Sequence, residues 1–186
     1  MKLQHSLAAL LLFAGTALAE DDCRLDLSES RLDFGLMNRA VASAPAAEHL
    51  LGERRLSLTL NCPQPADMSL FYRALAAGTE RLRLGDGGSY RVQVHDAVLD
   101  GHAVQLGLLA GPGQAPAQIG TSLAWRADHG IVPLHDGQPA TGRSFAAQLQ
   151  VSAWARDEAI RVRDAETWEA SAQVDALTSG RSRELQ

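Results

Sequence analysis

The residues with the most chemical potential in this chain are Cys23 and Cys62, its only two cysteines. Two thiols on neighbouring strands form a disulfide in an oxidising compartment, and the alternative is a pair of buried free thiols. The histidines offer a second possibility. His95 and His102 flank the Asp100-Gly101 turn, and His129 and His135 share one loop. A hairpin can bring two imidazoles together, yet no Cys/His or His-Glu-x-x-His spacing accompanies them, so they read as solvated loop histidines and no metal is expected. No Gly-x-Ser-x-Gly places a serine on a nucleophile elbow. The acid pairs Asp157/Glu158 and Asp164/Glu166 read as solvated edges, and Gly85–Gly88 precedes a strand, so no helix N-terminus is offered to a phosphate. No catalytic residue and no cofactor follow from these patterns. Trp125, Trp154 and Trp168 could stack on the C–H face of a sugar, although aromatic rings in an inter-sheet core are the more ordinary reading.

The chain opens like an export signal. Lys2 supplies a positive charge, Leu7 to Phe13 an apolar run, and Ala17-Leu18-Ala19 a small-x-small cleavage pattern. The run is too short to span a bilayer, which takes about 20 apolar residues, and no membrane insertion is expected. Cleavage after residue 19 would leave 167 residues (186 − 19), one domain with a full core. The mature chain would carry 16 arginines against 22 acids, a balance of −6. Its arginines are scattered, which argues against nucleic acid and anionic membranes as partners.

The elements that must position the cysteines are strands. Leu56, Leu58, Leu60 and Cys62 alternate with Ser57, Thr59 and Asn61, the period of a half-buried strand. Cys23, Leu25 and Leu27 repeat the pattern, and Leu32 to Leu36 continues that strand after a polar break. Residues 38–52 read as a loop with a helical turn at Ala46–Leu51. Pro63 and Pro65 end the Leu56–Cys62 strand, because proline cannot donate to a ladder. Further alternation appears over Met68–Tyr72, Tyr90–Val94, Val104–Leu108, Phe145–Ala153 and Trp168–Val174, with short strands at Ser122–Trp125 and Ile160–Val162. Arg73–Leu84 is ambiguous between helix and loop, and 128–142 reads as turns. Gly85–Gly88 and Asp100-Gly101 are hairpin signals. This is an all-β chain, an antiparallel β-sandwich over residues 20–177, with a polar tail over 178–186.

These features resemble the bacterial pilus subunits of the chaperone–usher class. Leu51 to Cys62 is similar to the second-cysteine strand of a fimbrial-subunit-like family in that class, and Asp33-Phe34-Gly35 is similar to the aromatic-glycine element after its first cysteine. The resemblance implies an immunoglobulin-like sandwich of the pilin type, stapled by Cys23–Cys62, and leaves open whether its last strand is missing. It implies a structural, non-enzymatic role, a periplasmic chaperone, an usher and a neighbouring subunit as partners, and export to the periplasm or a surface fimbrium. A groove filled by a partner's strand would be edged by Leu25 and Leu27 on one side and by Trp168, Ala170, Ala172 and Val174 on the other. Pilins carry a donor segment before the first cysteine, whereas cleavage here leaves three residues, so a terminal or accessory subunit is expected. The rival reading is a self-contained periplasmic or secreted binding module, with a surface glycan as its ligand.

Overall fold

The computed structural model describes residues 23–35, 47–160 and 167–180. The fold is built on one strand, β2 (Glu48–Arg73), 26 residues long. Its first half buries Leu56, Leu58, Leu60 and Cys62, and its second buries Ala66, Met68, Leu70 and Tyr72. Tyr72 lies 3.2 Å from Tyr90, hydroxyl to hydroxyl. Tyr90 in turn pairs with Ala153, which pairs with Gly52. Twenty residues of straight strand would span about 66 Å. Residues 52 and 72 can approach one another only because β2 folds back between its halves, at residues 62–65.

Two layers result. In the first, residues 48–61 of β2 pair along one edge with β11 (Thr141–Arg156) and, at residues 58–61, along the other with β1 (Arg24–Leu27), and β11 pairs onward with β4 (Gly88–Leu99). The far edge of β4 carries β3 (Leu82–Leu84), β8 (Ser122–Trp125) and β5 (His102–Ala103). In the second, residues 66–73 pair along one edge with β12 (Gln173–Gly180) and, at Leu70 and Phe71, along the other with β9 (Gly130–His135), followed by β6 (Gln105–Leu109) and β7 (Gln118–Gly120). A short β10 (Gln138–Pro139) returns onto β9. Every pairing is antiparallel, and one helical turn, α1 (Asp157–Ile160), follows β11. The all-β antiparallel sandwich expected from the alternation is the architecture observed.

The interior joins the layers through Tyr72, Tyr90 and Trp125. The Tyr72 and Trp125 rings sit 5.1 Å apart at 36°, and the Trp125 indole N–H donates to the carbonyl of His129. The Asp100-Gly101 hairpin is present as expected. Both residues have positive φ, the two-residue turn whose twist matches the flanking strands. The Asp100 carboxylate then accepts the backbone N–H groups of Arg143 and Ser144, which tie the hairpin to β11.

Several expectations need correction. Pro63 and Pro65 do not end the strand; they occupy the fold-back, where β11 skips from Asn61 to Ala66 and β1 has already stopped at Asn61, so no ladder needs their missing N–H. Residues 48–51 are strand rather than a helical turn; Ala46 lies outside the described residues. A bulge at Leu51, opposite the step from Ala153 to Trp154, reverses the alternation, so His49 and Leu51 turn inward. The turn-rich 128–142 stretch contains β9, whose Gly130 to Leu134 are all buried. Its outer face joins Phe71 and Leu109 in a second apolar cluster. Ile160 ends α1 instead of starting a strand, and Val162 lies outside the described residues.

Tyr72 and Tyr90 are the protein's only tyrosines. Burial pushes both phenols above their ordinary range; at Tyr72 the neighbouring Tyr90 adds to the rise. A raised folded-state value leaves the stabilisation intact below the unfolded value, about pH 10, and removes it as pH climbs toward the folded value. Stability should therefore decline above about pH 10. Tyrosinate ultraviolet absorbance should appear only together with loss of the near-ultraviolet circular dichroism of the folded protein; its appearance in the intact fold would contradict this interior.

Candidate functional site

A strand has two edges, and pairing decides which is used. Residues 58–61 of β2 are flanked by β1 and by β11, while Ala66 and Asp67 are flanked by β12 and by β11. β1 and β12 therefore lie on the same edge of β2, one on each side of the fold-back. Folding β2 brings them to the same flank of the sandwich, β1 in the first layer and β12 in the second, running in opposite directions. Among the described residues each of them pairs with β2 alone. This flank carries two strand edges with unpaired backbone groups, the feature that makes an edge a template for another strand.

The disulfide sits at the base of this flank. Cys23 and Cys62 are bonded, fastening the residue before β1 to the fold-back of β2. Cys23 and Leu25 from one side, and Val174 and Ala176 from the other, are half-buried and packed on the core. Leu27 continues the inward parity of Leu25 but remains 39% exposed. Beyond β1 the chain follows β2 upward. Arg54 donates two hydrogen bonds to the Asp33 carbonyl, at 3.0 and 2.7 Å, and its guanidinium lies 5.5 Å from the centre of the Phe34 ring. Gly35 has φ +79° and donates to the Asp33 carboxylate, which gives the Asp33-Phe34-Gly35 motif its turn.

The structure redistributes the residues expected along the last strand. Val174 is in place, but β12 begins only at Gln173, and Ala170 and Ala172 are exposed ahead of it. Trp168 is not on the flank. It packs on the Gly85–Gly88 turn at the end of the β3–β4 hairpin, where the Gly85 N–H donates to the carbonyl of Glu169. The sequence alternation ran through Trp168 without sensing that the strand starts later. The inward residue it missed is Ala176, two positions beyond Val174 and on the same parity.

Trp125 is fully buried and presents no face to a sugar. Trp154 points outward, with the Arg81 guanidinium 3.6 Å and that of Arg91 5.9 Å from its ring centre. His95 contacts its neighbour Asp96, His135 its neighbour Asp136, and His102 and His129 the carbonyls of Asp100 and Ala127, so each of these four histidines is held locally. A cleft of about 420 Å³ opens beside the β3–β4 turn, between Glu48, Arg81, Arg83, Asp86, Ser89 and Arg156. Its arginines are matched by carboxylates: Arg81 with Glu48, Arg83 with Asp86, and Arg156 with Glu158.

Cys23–Cys62 closes a loop with a sequence separation of 39. On the chain-entropy account, opening it should cost about 4 kcal/mol. Urea unfolding of the Cys23→Ser/Cys62→Ser protein should show that loss. A variant as stable as the parent would mean that the bond does not hold the β1 flank.

No protein-family model and no curated protein matches the chain. Among solved structures it is similar to the P pilus rod subunit PapA in its crystal structure, at 12% identity, covering 84% of this chain and 99% of that one, with a TM-score of 0.44.

Proposed function

We propose that this chain is a structural, non-enzymatic subunit of the pilus type, which receives an extended strand from a partner on the flank between β1 and β12. The observation that carries the reading is the pair of edge strands there: both pair only with β2 among the described residues, with Leu25, Val174 and Ala176 incompletely covered beneath them. Strand addition fits this chemistry. Backbone groups of an incoming strand would satisfy the unpaired edge, and its alternate side chains would cover the apolar residues below. The resemblance of the Cys23 and Cys62 strands to the fimbrial-subunit-like family points the same way. In this reading the chain is exported, forms its disulfide in the periplasm, and meets a chaperone, an usher and a neighbouring subunit there.

The test uses synthetic peptides of alternating apolar and polar residues, against peptides of the same composition with the apolar residues made consecutive. At roughly 100 times its Kd, a bound peptide stabilises by about 2.7 kcal/mol. For a chain of this size that raises Tm by about 5–10 °C. The alternating peptides should give that rise and the consecutive ones should not. An unchanged Tm across the alternating series would mean that the flank accepts no strand.

A further inference from the structure

The grip of the last strand is weak by its own residues. β12 has eight residues paired along one partner, and a two-stranded pairing is marginal without a packed face. Its inward apolar side chains are only Val174 and Ala176, both small and half-buried. Its other ties are at the surface: Arg73 to Asp175 at 3.0 Å, Ser69 to the Leu177 carbonyl, and Ser179 to Asp67. Screened surface contacts of this kind contribute little. Five residues before β12, however, the chain commits a tryptophan to a seat.

That seat is built of glycine. A Cβ at Gly85 would lie 2.9 Å from the Cβ of Trp168. A Cβ at Gly87 would lie 2.7 Å from the indole Cζ2 and 2.5 Å from the Ala159 Cβ. Gly85 also has φ +53°, so the turn itself asks for glycine there, but Gly87 is not among the positive-φ residues. What requires Gly87 is the close approach of the Ala159 methyl and the indole together. The seat is braced from beneath: Arg83 donates to the Gly85 carbonyl and the Asp86 carboxylate, and Arg156 donates to the Asp86 carbonyl. Trp168 is half-buried like Val174 and Ala176, but its indole is much the larger side chain and brings more apolar surface to the contact.

We propose that Trp168, seated on Gly85 and Gly87, is the positioning residue that holds β12 against β2 and so maintains one wall of the strand-accepting flank. The hold of Trp168 on β12 stands on the packing alone, and its consequence for strand acceptance rests on the proposed function. Hydrogen exchange followed by mass spectrometry on the full, oxidised chain tests it in Trp168→Ala and Gly87→Ala, with Leu75→Ala, a change at an exposed apolar residue, as the control. In both test variants the amides of residues 173–180 should exchange about tenfold faster or more, while β4 and β11 keep their protection. Leu75→Ala should change neither. Unchanged exchange over 173–180 in both variants overturns the proposal. So does a uniform loss over β4, β11 and β12, because Trp168 would then support the whole fold and not its last strand. The alternating peptides are applied to the same proteins. Peptide binding to the parent but at least about tenfold weaker binding to the Trp168 variant supports the link to strand acceptance, and equal binding to both removes it. Absence of binding to the parent counts against the proposed function, while the exchange result still decides the role of Trp168.

Discussion

The fold-back of β2 at residues 62–65 is the constraint from which the rest of the molecule follows. One strand serves both layers, so the facing of Leu56–Cys62 onto Met68–Tyr72 is intramolecular along a single segment and fixes how the layers sit over one another. The bend combines two prolines, which have no N–H to leave unpaired, with a cysteine whose bond leads to the start of β1. Were β2 straight, β1 and β12 would lie end to end along one long edge. Folded, they stand across from each other on a single flank, and the disulfide at the base holds β1 close to the turning point.

Much of this was legible from period-two alternation, for a physical reason. Leu56–Cys62, Tyr90–Val94 and Phe145–Ala153 each bury one face and leave the other mostly only partly covered, and that asymmetry leaves its mark on residue type. β9 left no such mark. Gly130 to Leu134 are buried on both faces, with Pro133 in the middle, so the stretch showed turn residues and no alternation. The join of the Leu56–Cys62 and Met68–Tyr72 strands was hidden because proline ordinarily ends a ladder, and only the tertiary arrangement reveals that no ladder was required there. The bulge at Leu51 inverted the parity that would have placed His49 outside.

The candidate site was legible in a similar measure. Alternation placed the two cysteines on the inner faces of their strands, and the structure joins them; Leu25 and Val174 were expected as groove edges from the resemblance, and they lie half-buried on one flank. Trp168 misled because alternation says which side of a strand a residue takes, not whether the strand has begun. A signal was nonetheless present in the Gly85-Asp86-Gly87-Gly88 run: a hairpin turn needs glycine where φ is positive, and here that is Gly85 alone. Gly87 marks a place where other side chains approach the backbone, and Gly88 one where other backbone does, a reading sequence can suggest but whose partners only the structure names.

An open flank is a liability unless it discriminates among the strands it meets. Here the first edge is short, four residues, and carries the exposed charges of Arg24 and Asp26; the second carries Asp175 and Ser179. Short length and charge are the means by which edges resist indiscriminate pairing, since a flat apolar strand gains little from four residues and loses by desolvating a carboxylate. A strand that enters between the two edges escapes that limit. It can bond along either edge while its inward side chains cover Leu25 on one side and Val174 and Ala176 on the other, so its gain depends on alternation and register together. Because Val174 and Ala176 are small and half-buried, most of the apolar surface covered there, at about 25 cal/mol per Å², would come from the guest strand. If the flank receives a strand as proposed, its selectivity would follow from this two-sidedness and would depend on β12 being kept in register.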